Sequence, residues 1–256
     1  MPEALYLDCH DLDSALRSFA IVGDRPESAL VEAIASYDVD WDTATEEAES
    51  SVPQEVFGQL ELSEETFTFA GTCFFHGTRS MDPARFQREG ILPLGHIVDQ
   101  IWSDLHQLIS AEISPAAWLD HRRAVEAGAG GHPGWLYRLK TQDAAFHGGP
   151  YAYLIRDQHL STFYGHHDYL AIPEIVQDIA RTCDFGLQEL FESAASPHIV
   201  KFRTAETTTH SIHTAFWYIH ASLLGEMLGW HHIYGHDCRN VAVPPDDVLE
   251  VTPVSQ

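Results

Sequence analysis

A chain of 256 residues with 45% hydrophobic and 20% charged residues has the make-up of a globular protein with a sizeable core, which excludes a disordered or fibrous chain. Its formal net charge is −24 at pH 7, and 14 lysines and arginines are too few for a counterion-releasing surface, so long nucleic acids are excluded as a general partner. No apolar run reaches membrane-spanning length, and the start, Met1-Pro2-Glu3-Ala4-Leu5, lacks a basic region followed by a hydrophobic one; the expectation is a cytoplasmic protein without a membrane partner.

In chain order, apolar periodicity predicts a helix over residues 12–20 and another after Pro26, through residues 29–35. An acidic stretch over residues 38–55, punctuated by Ser50, Ser51 and Pro53, reads as a flexible connector. Residues 1–65 hold 17 Asp or Glu against Arg17 and Arg25 alone. Residues 1–68 are therefore expected to form an acidic helical lead, and residues 69–256 a domain of alternating strands and helices. Strands are predicted at residues 72–76, 135–140, 150–156, 198–203, 239–243 and 248–254, and helices at residues 82–89, 97–109, 115–127, 172–182 and 212–228. The fold class is α+β, with a split sheet and helices between its halves as the simplest assembly.

The stretch Phe74-Phe75-His76-Gly77-Thr78-Arg79, followed by Gly90-Ile91-Leu92, reads as a strand, a short helix and a second strand. Glycine after histidine lets a flat ring approach the main chain, and neutral imidazole can accept one hydrogen bond while donating another, which suits a ribose hydroxyl. This segment resembles the opening of the ADP-ribosyltransferase fold. The resemblance implies NAD as substrate, with His76 and Thr78 on a ribose and the main chain at Gly77 beside the nicotinamide. The RNA 2′-phosphotransferases are similar in carrying a His-Gly-Thr.

A second segment, Gly148-Gly149-Pro150-Tyr151-Ala152-Tyr153, precedes Tyr164. In the diphtheria-toxin-like and poly-ADP-ribose polymerase branches, a glycine turn leads to a strand tyrosine, and a second tyrosine follows; the two rings sandwich the nicotinamide. The resemblance thus implies stacking between Tyr151, or Tyr153 as its alternate, and Tyr164, which suits a flat cation. Arg79 and Arg85 are the expected neighbours of the diphosphate. The family's late-strand glutamate has no counterpart at the matching position, and Asp237 is its candidate replacement, with His236 next and Glu206 after them. The implied activity is transfer of ADP-ribose, with release of nicotinamide, to an acceptor that is a protein, a small molecule or a nucleic acid end. A toxin or defence role follows only from the resemblance.

Two other classes stay open. Of 17 histidines, several cluster: His166-His167-Asp168, His210 with His213 and His220 on one helical face, and His231-His232 with His236-Asp237. They raise a metal-dependent hydrolase, although Gly235 interrupts any helical His232/His236 grip and no His-Glu-x-x-His occurs, so no metal site is assigned. Cys9, Cys73, Cys183 and Cys238 form no Cys-x-x-Cys pair. The third class is a non-enzymatic NAD-fold scaffold whose acidic lead mimics nucleic acid or docks on a basic partner.

Overall fold

Helix α1, Leu12–Gly23, begins where the Asp11 carboxylate accepts from the Ser14 amide, the cap that an aspartate ahead of an apolar stripe provides. It belongs to a computed structural model that describes residues 5–37, 46–142, 148–160, 167–226, 228 and 233–255. The remaining helices are α2 Glu27–Ala35, α3 Glu46–Gln59, α4 Arg85–Glu89, α5 Leu94–Leu108, α6 Pro115–Glu126, α7 Gly131–Gln142, α8 Glu174–Ala180, α9 Leu187–Ala194 and α10 Thr209–Leu224. The strands are β1 Thr72–Ser80, β2 Tyr151–Tyr153, β3 Ser196–Thr204, β4 Gly235–Asp237 and β5 Val248–Pro253. They form one five-stranded sheet in the order β4-β2-β1-β3-β5, with β1 and β2 antiparallel and Phe75 opposite Tyr153. The class is α+β. No helix among the described residues is long and apolar enough to cross a membrane.

Contacts divide the chain into two units. The first takes the described residues of Met1–Phe75, Ala152–Tyr164 and Phe202–His236. Here α1, α2 and α3 pack with α10, and Phe19, Phe57, Phe67 and Phe216 interlock at centroid separations of 4.6–5.9 Å. Trp217 is buried beside Phe216. Residues 1–68 thus share a core with α10. Much of the expected acidic connector is helix α3: its buried Val52, Val56 and Phe57 form a stripe at helical spacing that the surrounding glutamates hide in composition.

The second unit takes the described residues of His76–Tyr151, Gly165–Lys201 and Asp237–Gln256. Its core gathers Trp102, Leu105, Trp118, Tyr137, Ile175, Ile179 and Phe191 from α5 to α9. The rings of Trp102 and Trp118 lie 4.8 Å apart. Their indole groups are satisfied: Trp102 Nε1 donates to the Tyr137 hydroxyl at 3.0 Å, and Trp118 Nε1 donates to the Trp102 carbonyl at 2.9 Å. Tyr137 explains why the strand expected at residues 135–140 is helix α7. The aromatic run favours a sheet locally, but Gly134 and Tyr137, three apart, face the core while Trp135 is exposed.

Two further expectations change. The strand at residues 90–92 contracts to one antiparallel bridge, Ile91 to Val243. Gly90 precedes it at φ +80°, and an added Cβ would fall 1.9 Å from the Val243 carbonyl, so only glycine fits. The strand at residues 239–243 is displaced to β4, because Arg239 and Asn240 take φ of 52° and 64° and end the extended run.

Candidate functional site

His76, Gly77, Thr78, Tyr151 and Asp237 all lie in the second unit. Their strands β1, β2 and β4 are consecutive neighbours in the sheet. The β2–β4 register follows from two main-chain bonds, Leu154 N to Tyr234 O at 3.1 Å and Cys238 N to Pro150 O at 3.0 Å. Antiparallel pairing between those bonds sets Tyr151 directly opposite Asp237, on one face of the sheet. On the other side, extending the Phe75–Tyr153 pairing by one alternation brings Gly77 opposite Tyr151. The tyrosine therefore has a carboxylate on one flank and a residue without a side chain on the other.

Tyr151 is 40% exposed, a large fraction for an aromatic ring on an inner strand. Partial burial, then the carboxylates of Asp237 and Glu174, push its phenol above the ordinary value, against a main-chain hydrogen bond at Gly149. The ring therefore stays a neutral phenol in a negative surrounding. One Asp237 oxygen accepts from the Arg239 amide at 2.8 Å, which fixes the carboxylate against its own turn.

Alternation directs the His76 side chain to the face opposite Gly77 and Tyr151, and the ring folds back to the seam between strands. Its Nδ1 lies 2.7 Å from the Tyr151 carbonyl. A carbonyl only accepts, so Nδ1 carries the proton and Nε2 of the neutral ring is left as an acceptor. Crowding by protein atoms lowers the His76 pKa, with the bond to Tyr151 opposing, although the residue keeps a solvent-accessible edge. Phe86 of α4 meets the ring edge-on at 6.3 Å. His76 is thus joined to Tyr151 through the main chain.

Both arginines expected beside the diphosphate have protein partners. The Arg79 guanidinium donates to the carbonyls of Ala195 at 3.2 Å and Glu192 at 2.6 Å, satisfying main chain at the end of α9, and to the Leu170 carbonyl ahead of α8 at 3.1 Å. Arg85 forms an ion pair with Glu89 at 2.7 Å. Tyr153 lies in the first unit, its ring 4.8 Å from that of His159. Also in the first unit, His236 stacks on Phe74 at 4.3 Å, and Glu206 is exposed. Tyr164 lies outside the described residues, as do His166, His231 and His232.

Glu174 is the residue that sequence reasoning missed, since the first residue of a helix after Pro173 carries no chemical signature. Lys140 of α7 lies 3.2 Å from Glu174 and 2.5 Å from Asp178. The two acids are four residues apart and share the face of α8 turned to Lys140. Burial raises the Asp178 pKa, with Lys140 opposing. The cluster of two carboxylates and one ammonium leaves negative charge acting on Tyr151.

Among the described residues no group of three or more His, Cys, Asp or Glu is placed to hold a metal ion. His220 is wholly buried, and its Nε2 donates to the Tyr37 carbonyl at 2.9 Å. His210 meets the Tyr234 ring at 4.8 Å. The four cysteines are free thiols; burial and then Asp237 push Cys238 up to about 11. Comparison with protein-family models, curated proteins and solved structures finds no match to this chain.

Proposed function

We propose that the chain cleaves NAD at its nicotinamide ribosyl bond and transfers the ADP-ribose to an acceptor. The observation that carries this reading is the pairing of Tyr151 with Asp237, with Gly77 on the other flank of the ring and His76 bonded to the Tyr151 carbonyl. An exposed neutral aromatic face among carboxylates favours a flat cation, and the oxidised nicotinamide ring is one. Gly77, which is buried, puts no side chain on that flank of the Tyr151 ring.

In the reaction the C1′–N1 bond breaks, nicotinamide leaves neutral with the bonding electrons, and positive charge grows on the ribose. Asp237 stabilises that charge, and because its carboxylate is fixed in advance it need not reorganise as the bond breaks. His76 positions Tyr151 through its carbonyl. A nucleophile, or water without an acceptor, attacks C1′ and loses its proton.

The test is nicotinamide release from NAD by the purified chain, with Asp237→Asn and Tyr151→Ala alongside. The reading expects release, lowered by about 10²-fold in Asp237→Asn, the size of effect seen when one group facing developing charge is removed. NAD bound without release indicates a binding scaffold. Absence of both binding and release refutes the reading.

A further inference from the structure

Resting on the reading of an NAD-cleaving site, the diphosphate needs a cation, and both arginines expected there have protein partners: Arg79 donates to three carbonyls and Arg85 pairs with Glu89. Of the arginines on β1, β2 and β4 and the turns that follow them, Arg239 in the second unit stands differently. It follows Asp237 by two residues, and its amide holds the Asp237 carboxylate at 2.8 Å. The next residue, Asn240, donates its amide to the Gly149 carbonyl at 2.9 Å, which ties this turn to the segment leading into Tyr151. The φ of 52° at Arg239 is one that a β-carbon resists, yet the turn is built there by a long cationic residue rather than glycine. The side chain is exposed, and its guanidinium has no hydrogen-bond or ion-pair partner among the described residues. Among the described residues β4 is an edge strand, so this turn lies at the margin of the sheet.

We infer that Arg239 binds the diphosphate of the dinucleotide, completing a site in which Tyr151 takes the nicotinamide and Asp237 faces the ribose. The order along the turn matches the order along the substrate. The planar fork of a guanidinium suits two phosphate oxygens at once, and it shields them from the carboxylate two residues away. In a chain of net charge −24, an unpaired cation beside the carboxylate is what permits a doubly anionic ligand to approach.

Arg239→Gln and Arg239→Lys are compared with the unaltered chain by calorimetric titration of NAD, ADP-ribose and nicotinamide riboside, which lacks phosphate, with melting curves as the control for folding. The expected result is affinity for NAD and ADP-ribose about tenfold weaker in Arg239→Gln, the loss of one charge-assisted contact. Recovery should be partial in Arg239→Lys, and nicotinamide riboside unchanged. KM for NAD should rise more than kcat falls. Equal affinity of the unaltered chain and Arg239→Gln for NAD overturns the inference while leaving the NAD reading intact. Binding of NAD and ADP-ribose without nicotinamide release overturns the transfer reading but still decides the role of Arg239. No binding of any of the three by the unaltered chain overturns both.

Discussion

Replacing Lys140 with methionine keeps most of the apolar stem and removes the charge. The ammonium lies 2.5 Å from Asp178 and 3.2 Å from Glu174, and the Lys140 and Asp178 side chains are only 15% and 4% exposed. Removing one partner of a buried pair costs about 3–5 kcal/mol, because the other charge is left in a poor solvent. Asp178 has an escape, which is to take up a proton. Burial already raises its pKa against the pull of Lys140, so losing Lys140 raises it further. An acid whose folded pKa exceeds its unfolded value of about 3.9 contributes its full stability below that value, and the contribution drains away as pH climbs through the folded pKa. The substitution moves the folded pKa upward. The expected loss is therefore about 3 kcal/mol at pH 8 and smaller at pH 5. Urea denaturation followed by circular dichroism at both pH values measures it, with the midpoint and slope read together. The double variant Lys140→Met/Asp178→Leu should recover most of the loss, since no uncompensated charge remains at Asp178. A loss at pH 8 below about 1 kcal/mol, the worth of a surface pair, or a larger loss at pH 5 than at pH 8, refutes the reasoning.

Gly90→Ala should lower stability by at least about 1 kcal/mol, because the new β-carbon meets the Val243 carbonyl at a φ of +80°; an unchanged melting curve would show that this bridge yields freely. The His76 pKa is lowered, so the neutral ring persists from above about 6.5 to somewhat below it, and its contribution to stability is lost only as pH falls through the folded value. Nicotinamide release should therefore be flat above pH 6.5 and decline below; a decline that begins above pH 6.5 contradicts the assignment. The Cys238 thiol, raised to about 11, should react slowly with iodoacetamide at pH 8 in the folded chain, as followed by peptide mass spectrometry; labelling as fast as that of a free thiol counts against its burial.

The parts of the fold that were legible in sequence were those where a local signal and the tertiary demand agree. α1, α5 and α6 show apolar stripes with caps at Asp11 and Ser114, and β1 and β3 are apolar runs ending in polar residues. α7 was not legible, since Trp135 and Tyr137 favour strands in isolation and only the Trp102 pocket makes a helix the better packing. α3 was hidden because its buried stripe is narrow within an acidic composition. For the site, residue types were legible and their employment was not. Nothing in Arg79 itself distinguishes an anion ligand from a guanidinium held by three carbonyls, and Asp237 opposite Tyr151 depends on a register set by a three-residue strand. Glu174 comes near Tyr151 only through tertiary packing, for which spacing in the chain offers no measure.

The buried indoles give each unit its own reporter. Trp217 lies among side chains of the first unit and the Trp102–Trp118 pair among those of the second. In a variant that retains only Trp217, intrinsic fluorescence follows the first core alone; in one that retains only the pair, it follows the second, where the rings of His106 and His121 pack against the two indoles. The shift of emission to longer wavelength with rising denaturant then reads the cooperativity of the two cores separately, and coincident transitions in the two variants would establish that they melt as one body.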